Sequence, residues 1–280
     1  MLWAAIVTTV AAGVVGWMWR AELKAWGRHL LGRDRSELHV DLDRREYPVK
    51  GIDVSHFNGD IDFARVAADS VEFVMIKATE GVTHVDSRLD DNWRGATDNG
   101  LKVGFYHFFR FDRGGVKQGR HFLRTIGDRR SDLPLVIDVE TAGNPEVDYY
   151  RVVGRLRDLL GYLRRHGRRV MIYSNPETYD TYIRGNFDDV DLWMASARTA
   201  HANGDDRSLW QHSHNGHVDG IATEVDINTF NGTREAFAEW LGTPDSTAVK
   251  TTAETVSETA APAVSENAAP AVPENAENTQ

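Results

Sequence analysis

The chain has 280 residues, of which 41% are hydrophobic, a formal net charge of −10 and no cysteine. That length supports one domain of about 200 residues with a sizeable core, flanked by separable ends. The composition excludes a disulfide, a thiolate nucleophile and a Cys-ligated zinc, and the acidic balance argues against nucleic acid as a partner.

Residues 1–19, MLWAAIVTTVAAGVVGWMW, carry no charged side chain. At about 1.5 Å per residue, such a helix just crosses a bilayer. Trp17 and Trp19 lie at one end of it, where interfacial aromatics collect. No Lys or Arg precedes the stretch and no clean A-x-A site follows it, so an uncleaved membrane anchor is expected rather than a signal peptide. Arg20, Lys24, Arg28, Arg33 and Arg35 all follow it, which by the positive-inside rule would keep the remainder in the cytoplasm. Residues 20–48 are rich in charge and read as a connector.

A regular rhythm begins near Val49. Strand patterns at 49–55, 71–79, 102–110, 133–140 and 169–174 alternate with helical spacing at 61–69, 88–99, 115–127, 147–165 and 176–184. The helices at 88–99 and 147–165 are stopped by Asn99-Gly100 and His166-Gly167. Three more strand patterns, at 191–196, 208–212 and 223–230, follow with little room for helices between them, and 233–241 closes as a helix. Strands alternating with helices imply a parallel sheet. About eight of them imply closure into a (β/α) barrel whose later helices are missing or short. An open doubly wound sheet is the competitor, but no G-x-G-x-x-G or P-loop glycine pattern follows any strand to hold its usual nucleotides. From Thr243 onward, Ala, Thr, Glu, Pro and Ser dominate, and AAPAVSEN recurs as AAPAVPEN; a disordered tail over 243–280 is expected, carrying about half of the excess negative charge.

The fourth strand, LPLVIDVE, holds Asp138 and Glu140 two residues apart, so both point to one face. Two carboxylates on one face of an apolar strand are costly unless solvated, paired or used. As neighbours they push their pKa values apart, which leaves one acid and one base. Alone, D-x-E is better explained by an ion pair with Arg or Lys from a neighbouring strand. Other strand ends add to it: Asp53 on the first strand, Lys77 on the second, Tyr106 and His107 on the third, Gln211 on the seventh, and Asp226 and Asn228 on the eighth. In (β/α) barrels the C-terminal strand ends form the active site.

These residues lie in motifs that resemble the family 25 glycoside hydrolases, muramidases that cleave peptidoglycan. The motifs are GIDVSHFNGDIDF, FVMIKATEG, DNGLKVGFYHFF, LPLVIDVE, RVMIYSN, DLWMA, LWQ and VDGIATEVDINTFNG, in order across about residues 50–241. The resemblance implies a flattened, incomplete TIM-like barrel over 49–242 with a long glycan groove, no metal and no cofactor. It implies a monomer that hydrolyses the β-1,4 bond between N-acetylmuramic acid and N-acetylglucosamine in peptidoglycan glycan strands. Glu140 then matches the general acid. Asp138 matches the group that stabilises the cationic centre, by holding the substrate's own N-acetyl group in a substrate-assisted route. Asp53 and Asp226 match the other pocket acids. Tyr106 is expected to bond the acetamido carbonyl or the developing oxyanion, Lys77 to contact substrate or form an ion pair with a carboxylate, Gln211 to contact substrate, and Trp193 and Trp210 to stack on sugar faces or pack in the core. His56 and His107 are weaker candidates.

Two departures concern Asn58, where the family often has Gln, and Ala197, where an aromatic is common; each bears on sugar preference more than on chemistry. A wall enzyme also needs its catalytic domain on the wall side of the anchor, against the charge distribution after residue 19. Two rival readings are a metal-dependent hydrolase using Asp53, His56, His107, Asp138, Glu140 and Asp226, and a glycan-binding domain without turnover.

Overall fold

The computed structural model describes residues 38–197 and 207–242. The expected membrane helix over 1–19, most of the expected connector and the expected tail lie outside the described residues. No helix among the described residues is long and apolar enough to cross a membrane.

The strands are β1 (Lys50–Val54), β2 (Val71–Glu80), β3 (His84–Val85), β4 (Lys102–Phe108), β5 (Leu135–Asp138), β6 (Val170–Ser174), β7 (Asp191–Ala195), β8 (Arg207–Gly216) and β9 (Val225–Phe230). The main helices are α1 (Phe63–Ala68), α2 (Leu89–Asp98), α3 (Gly115–Ile126), α4 (Tyr149–Arg165) and α5 (Arg234–Gly242). The nine-stranded sheet runs β1-β9-β8-β7-β6-β5-β4-β2-β3, and β1 also pairs with β2. That pairing closes a barrel of eight strands and leaves β3, a hairpin partner of β2 that the sequence pattern did not suggest, outside the ring.

The pairs from β1–β2 round to β7–β8 are parallel, as expected. β9 departs from the expected parallel order: it is antiparallel to both β8 and β1. A parallel return needs a crossover of a dozen or more residues, whereas β8 and β9 are joined by a short link with no helix. The fold is therefore a (β/α) barrel with its last strand reversed.

Strand alternation divides the apolar residues into two layers. Ile52, Val54, Val74, Ile76, Phe105, Leu135 and Ile137 face outward and pack with Val152, Leu156, Leu159, Leu160 and Leu163 of α4. Phe73, Met75, Val136, Met171, Tyr173, Trp193, Leu209 and Phe230 form the barrel interior with Phe237 of α5. Strands covered on both faces read as continuous apolar runs, which is why β5 is buried throughout. The interior must also accommodate large rings: the Phe73 ring lies where a side chain on Gly51 would stand.

The last part of the expected connector lies against the barrel. Val40 N donates to His212 O at 3.0 Å and His214 N to Leu38 O at 3.0 Å, a short antiparallel addition to β8. Tyr47 packs edge-on against Trp210, centroids 5.6 Å apart.

Candidate active site

The interior layer predicts where the polar residues go. Two residues beyond Val136 on the same face is Asp138, and two further is Glu140. By the same count Asp53 follows Gly51, Lys77 follows Met75, Tyr106 follows Gly104, and Gln211 follows Leu209. The apolar interior thus forms a floor, and the polar groups stand above it at one end of the barrel. They line a groove of about 1400 Å³ that takes in all eight predicted residues: Asp53, Lys77, Tyr106, Asp138, Glu140, Trp193, Gln211 and Asp226.

Asp226 reaches this end for a reason the sequence did not show. It sits at the start of β9, and because β9 is reversed, its start lies beside the ends of its neighbours; Asp226 pairs in register with Asp53. Gln211 likewise is not a strand end, since β8 continues to Gly216.

One hydrogen-bond network organises the acids on this side. Gln211 Nε2 donates to Asp53 Oδ2 at 2.8 Å and to Asp226 Oδ2 at 3.4 Å. Its Oε1 accepts from the Tyr173 hydroxyl at 2.7 Å and from His214 Nε2 at 2.9 Å. A carboxamide has two donors and two acceptor positions, and here all are used, which fixes the orientation of Gln211. Asn228 Nδ2 donates to Asp53 Oδ2 at 2.8 Å, and Asn228 Oδ1 accepts from the Trp193 indole at 2.9 Å. Trp193 is 2% exposed and edge-on to Tyr173, so it serves as groove floor and hydrogen-bond donor. Asn228 was among the strand-end residues; Tyr173 and His214 are the partners that strand-end reasoning did not assign, although Tyr173 shares the interior face with Met171.

Asp138 and Glu140 are 8% and 3% exposed. Past Asp138 the chain stays strand-like: Phe109 N donates to Asp138 O at 3.0 Å and Val139 N to Tyr173 O at 2.9 Å. Asn144 Nδ2 donates to the carbonyls of Glu140 and Phe109, each at 2.9 Å. This holds the loop after β5 against the loop after β4.

Burial raises the phenol pKa of Tyr106 well above its ordinary value, and the carboxylates Asp53, Asp138, Asp86 and Asp226 add to the rise. Tyr106 is therefore an O–H donor at any working pH. Lys77 is 8% exposed at its side chain and reaches Glu80 Oε2 at 3.3 Å; Arg110 Nη1 reaches Glu80 Oε1 at 3.3 Å. Lys77 therefore makes a structural ion pair with Glu80 and also has a place on the groove wall.

The remaining candidates lie elsewhere. His107 is buried outside the groove; its Nε2 donates to Gln118 Oε1 at 3.1 Å, and its Nδ1 accepts from the Thr79 hydroxyl at 2.7 Å. Burial pushes its pKa down to about 3. His56 Nδ1 donates to the buried Asp86 at 2.6 Å. Burial would raise the Asp86 carboxyl, but hydrogen bonds from the His56 ring and from the Arg88 and His56 N–H groups outweigh it and lower its pKa. Trp210 is fully buried against Tyr47, outside the groove. With both histidines engaged away from the acids, the constellation for a divalent metal is not assembled, and no metal-holding group of His, Asp and Glu occurs among the described residues. Asn58 lines the groove, its Oδ1 accepting from Ser55 N at 3.0 Å and its Nδ2 reaching Glu224 O at 3.3 Å. Ala197 is exposed just beyond β7.

The arrangement offers paired carboxylates, a permanently neutral phenol and an apolar floor in an open groove, which suits acid-catalysed cleavage of a polymer. Comparison with known proteins points the same way. The model of Glycosyl hydrolases family 25 matches residues 52–221. The Escherichia coli O6:H1 protein YegX, described as uncharacterised, is 37% identical over 197 residues, covering 68% of this chain and 72% of YegX. The autolytic lysozyme of Clostridium acetobutylicum is 34% identical over 184 residues, covering 65% of this chain and 56% of that protein. Among solved structures, a family 25 glycosyl hydrolase from Bacillus anthracis has a TM-score of 0.65 at 34% identity, covering 72% of this chain and 96% of that one.

Proposed function

The chain belongs to Glycosyl hydrolases family 25, and from that membership we infer that its groove binds a peptidoglycan strand across the four carboxylates. The protein is a glycosidase of the lysozyme type, hydrolysing the β-1,4 bond between N-acetylmuramic acid and N-acetylglucosamine. The convergence of Asp53, Asp138, Glu140 and Asp226 on one groove is the observation that carries the reading.

Glu140 is the general acid that protonates the leaving glycosidic oxygen as the anomeric carbon becomes cationic. Asp138 stabilises that charge by holding the substrate's N-acetyl group, whose oxygen closes on the anomeric carbon. Water then opens this intermediate, and its proton returns to Glu140. Tyr106 donates to the acetamido oxygen. Asp53 and Asp226, oriented by Gln211, accept from sugar hydroxyls, and Trp193 supports the sugar from below. The test is digestion of purified peptidoglycan by the full 280-residue chain in detergent. New reducing-end muramic acid, unaffected by chelator and lost in Glu140→Gln, is the expected result. Retained binding without new reducing ends in the wild type would overturn the activity.

We also infer that residues 1–19 tether the protein in a membrane with the barrel on the wall side, where its substrate lies. The support is the uncharged stretch itself. Fractionation and protease shaving of intact cells test this; a protease-resistant barrel released only by lysis would sink the orientation.

A further inference from the structure

The groove contains a second charged region that the carboxylates leave unexplained. Arg110, Arg113 and Lys117, from the β4–α3 loop and the first turn of α3, lie on its wall. Arg110 is committed to Glu80, and its Nη1 also donates to Gly143 O at 2.9 Å. The Arg113 side chain is 57% exposed, and among the described residues its guanidinium meets only the adjacent Asp112, at 3.5 Å. The Lys117 side chain is exposed and has no hydrogen-bond or ion-pair partner among the described residues.

Stability does not account for Lys117. It stands in the first turn of α3, where the helix dipole disfavours a cation, and that turn has no acidic residue. In a chain of net charge −10, an excess of cations at one part of an otherwise acidic groove is a sorted distribution. The loop that carries Arg110 and Arg113 is also held in place. Gln118 Nε2 donates to the carbonyls of Arg110 and Arg113 at 3.0 and 3.1 Å. Asn144, which ties down the Glu140 carbonyl, also accepts from Phe111 N at 2.8 Å. The frame that fixes Glu140 therefore fixes Arg113 as well.

We propose that Arg113 and Lys117 form a carboxylate subsite that reads the peptide stem on the muramic acid unit. This rests on the muramidase reading. The two sugars are neutral, and the charge of a peptidoglycan repeat resides in the stem attached through the lactyl ether. A strand placed with its scissile oxygen at Glu140 has to carry its stems out past the groove wall. Arg and Lys are the residues that bind carboxylates there. A phosphodiester branch on the same sugar would present the same charge, so the substrates must separate the two.

The test uses the full chain, wild type and Arg113→Gln/Lys117→Gln, on peptidoglycan in four forms. Three are free of phosphate polymers: stems with free carboxylates, stems with amidated carboxylates, and strands stripped of stems by an amidase, with the lactyl carboxylate this exposes then capped as an amide. The fourth retains its phosphate polymers. The expected wild-type preference in kcat/KM for free-carboxylate over amidated or stripped strands is about fivefold, the size of two exposed ion pairs. It should shrink with salt, persist in Lys117→Arg and disappear in the double variant. Equal rates on the three phosphate-free forms, a preference confined to the phosphate-bearing form, or a preference the double variant retains would each overturn the subsite. Cosedimentation with the same polymers is read alongside. Stem-dependent binding without new reducing ends would remove the muramidase reading and leave the subsite standing.

Discussion

Gln211 is the residue on which the acids of the β1–β9 side depend. It donates to Asp53 and Asp226, which face each other in register, and takes hydrogen bonds from Tyr173 and His214 in return. Removing it leaves two neighbouring carboxylates without their shared donor, and a hydrogen bond to the ionised form is what keeps such a group ionised. Gln211→Ala is therefore expected to lower kcat/KM about tenfold or more, with a stability loss of about 1–3 kcal/mol. Gln211→Met, which keeps the volume without the donor, should lose as much activity; a wild-type kcat/KM in Gln211→Met would show that Gln211 only fills space. Tyr106 makes a second residue-scale case. Its hydroxyl stays protonated because burial and the surrounding carboxylates hold its pKa high. Tyr106→Phe should thus lower kcat about 10²-fold, the usual cost of one positioned donor, while leaving the alkaline limb where it was. A shift of that limb would mean that the phenol titrates in the wild type.

At the scale of elements, the close approach of α3 to α4 sets the position of the cationic wall. A side chain added at Gly115 would collide with the backbone carbonyl of Arg155 and the amide of Leu159, and backbone cannot rotate aside. Gly115→Ala should force the helices apart at a cost of about 1–3 kcal/mol, measurable as a lower denaturant midpoint. It should also weaken binding of stem-bearing strands, because Arg113 and Lys117 flank the displaced residue. The elements themselves were legible in the sequence because period-2 and period-3.6 patterns alternate and Gly stops several helices. The site was legible for a related reason: counting by twos from interior residues such as Met75 and Val136 leads to Lys77 and Asp138. What could not be read was strand direction. Nothing local in Val225–Phe230 announces that it runs backwards; that follows from the short link to β8, and it alters the reason Asp226 reaches the groove. Trp210 and His107 were ambiguous because alternation gives a face but not which layer the face meets. His107 proved to be a buried strut whose partner, Gln118, lies eleven residues on, in a helix.

For the whole molecule, the buried histidines set how the barrel withstands acid, the condition in which a carboxylic general acid has its proton. Folding pushes His107 down to about 3 and His212 to about 4, both chiefly by burial. In the unfolded chain each would protonate near 6.5. The unfolded state thus binds more protons than the folded one below that value. Stability is full above about pH 6.5 and falls as the pH drops, with both histidines contributing down to about 4 and His107 alone from there to about 3. The combined slope is at most about 2.7 kcal/mol per pH unit, one proton per histidine. Protonated His107 would also lose the acceptor that Thr79 bonds, loosening β4 beneath the loop that carries Arg110 and Arg113. Because the fold keeps His107 neutral down to about pH 3, that bond is lost with the barrel rather than before it. Chemical denaturation from pH 7.5 to 4.5 measures this: the unfolding free energy should decline steadily below 6.5, and His107→Gln, though less stable at pH 7.5, should show a shallower decline. A wild-type free energy that stays level to pH 5 would mean that neither histidine is held neutral by the fold.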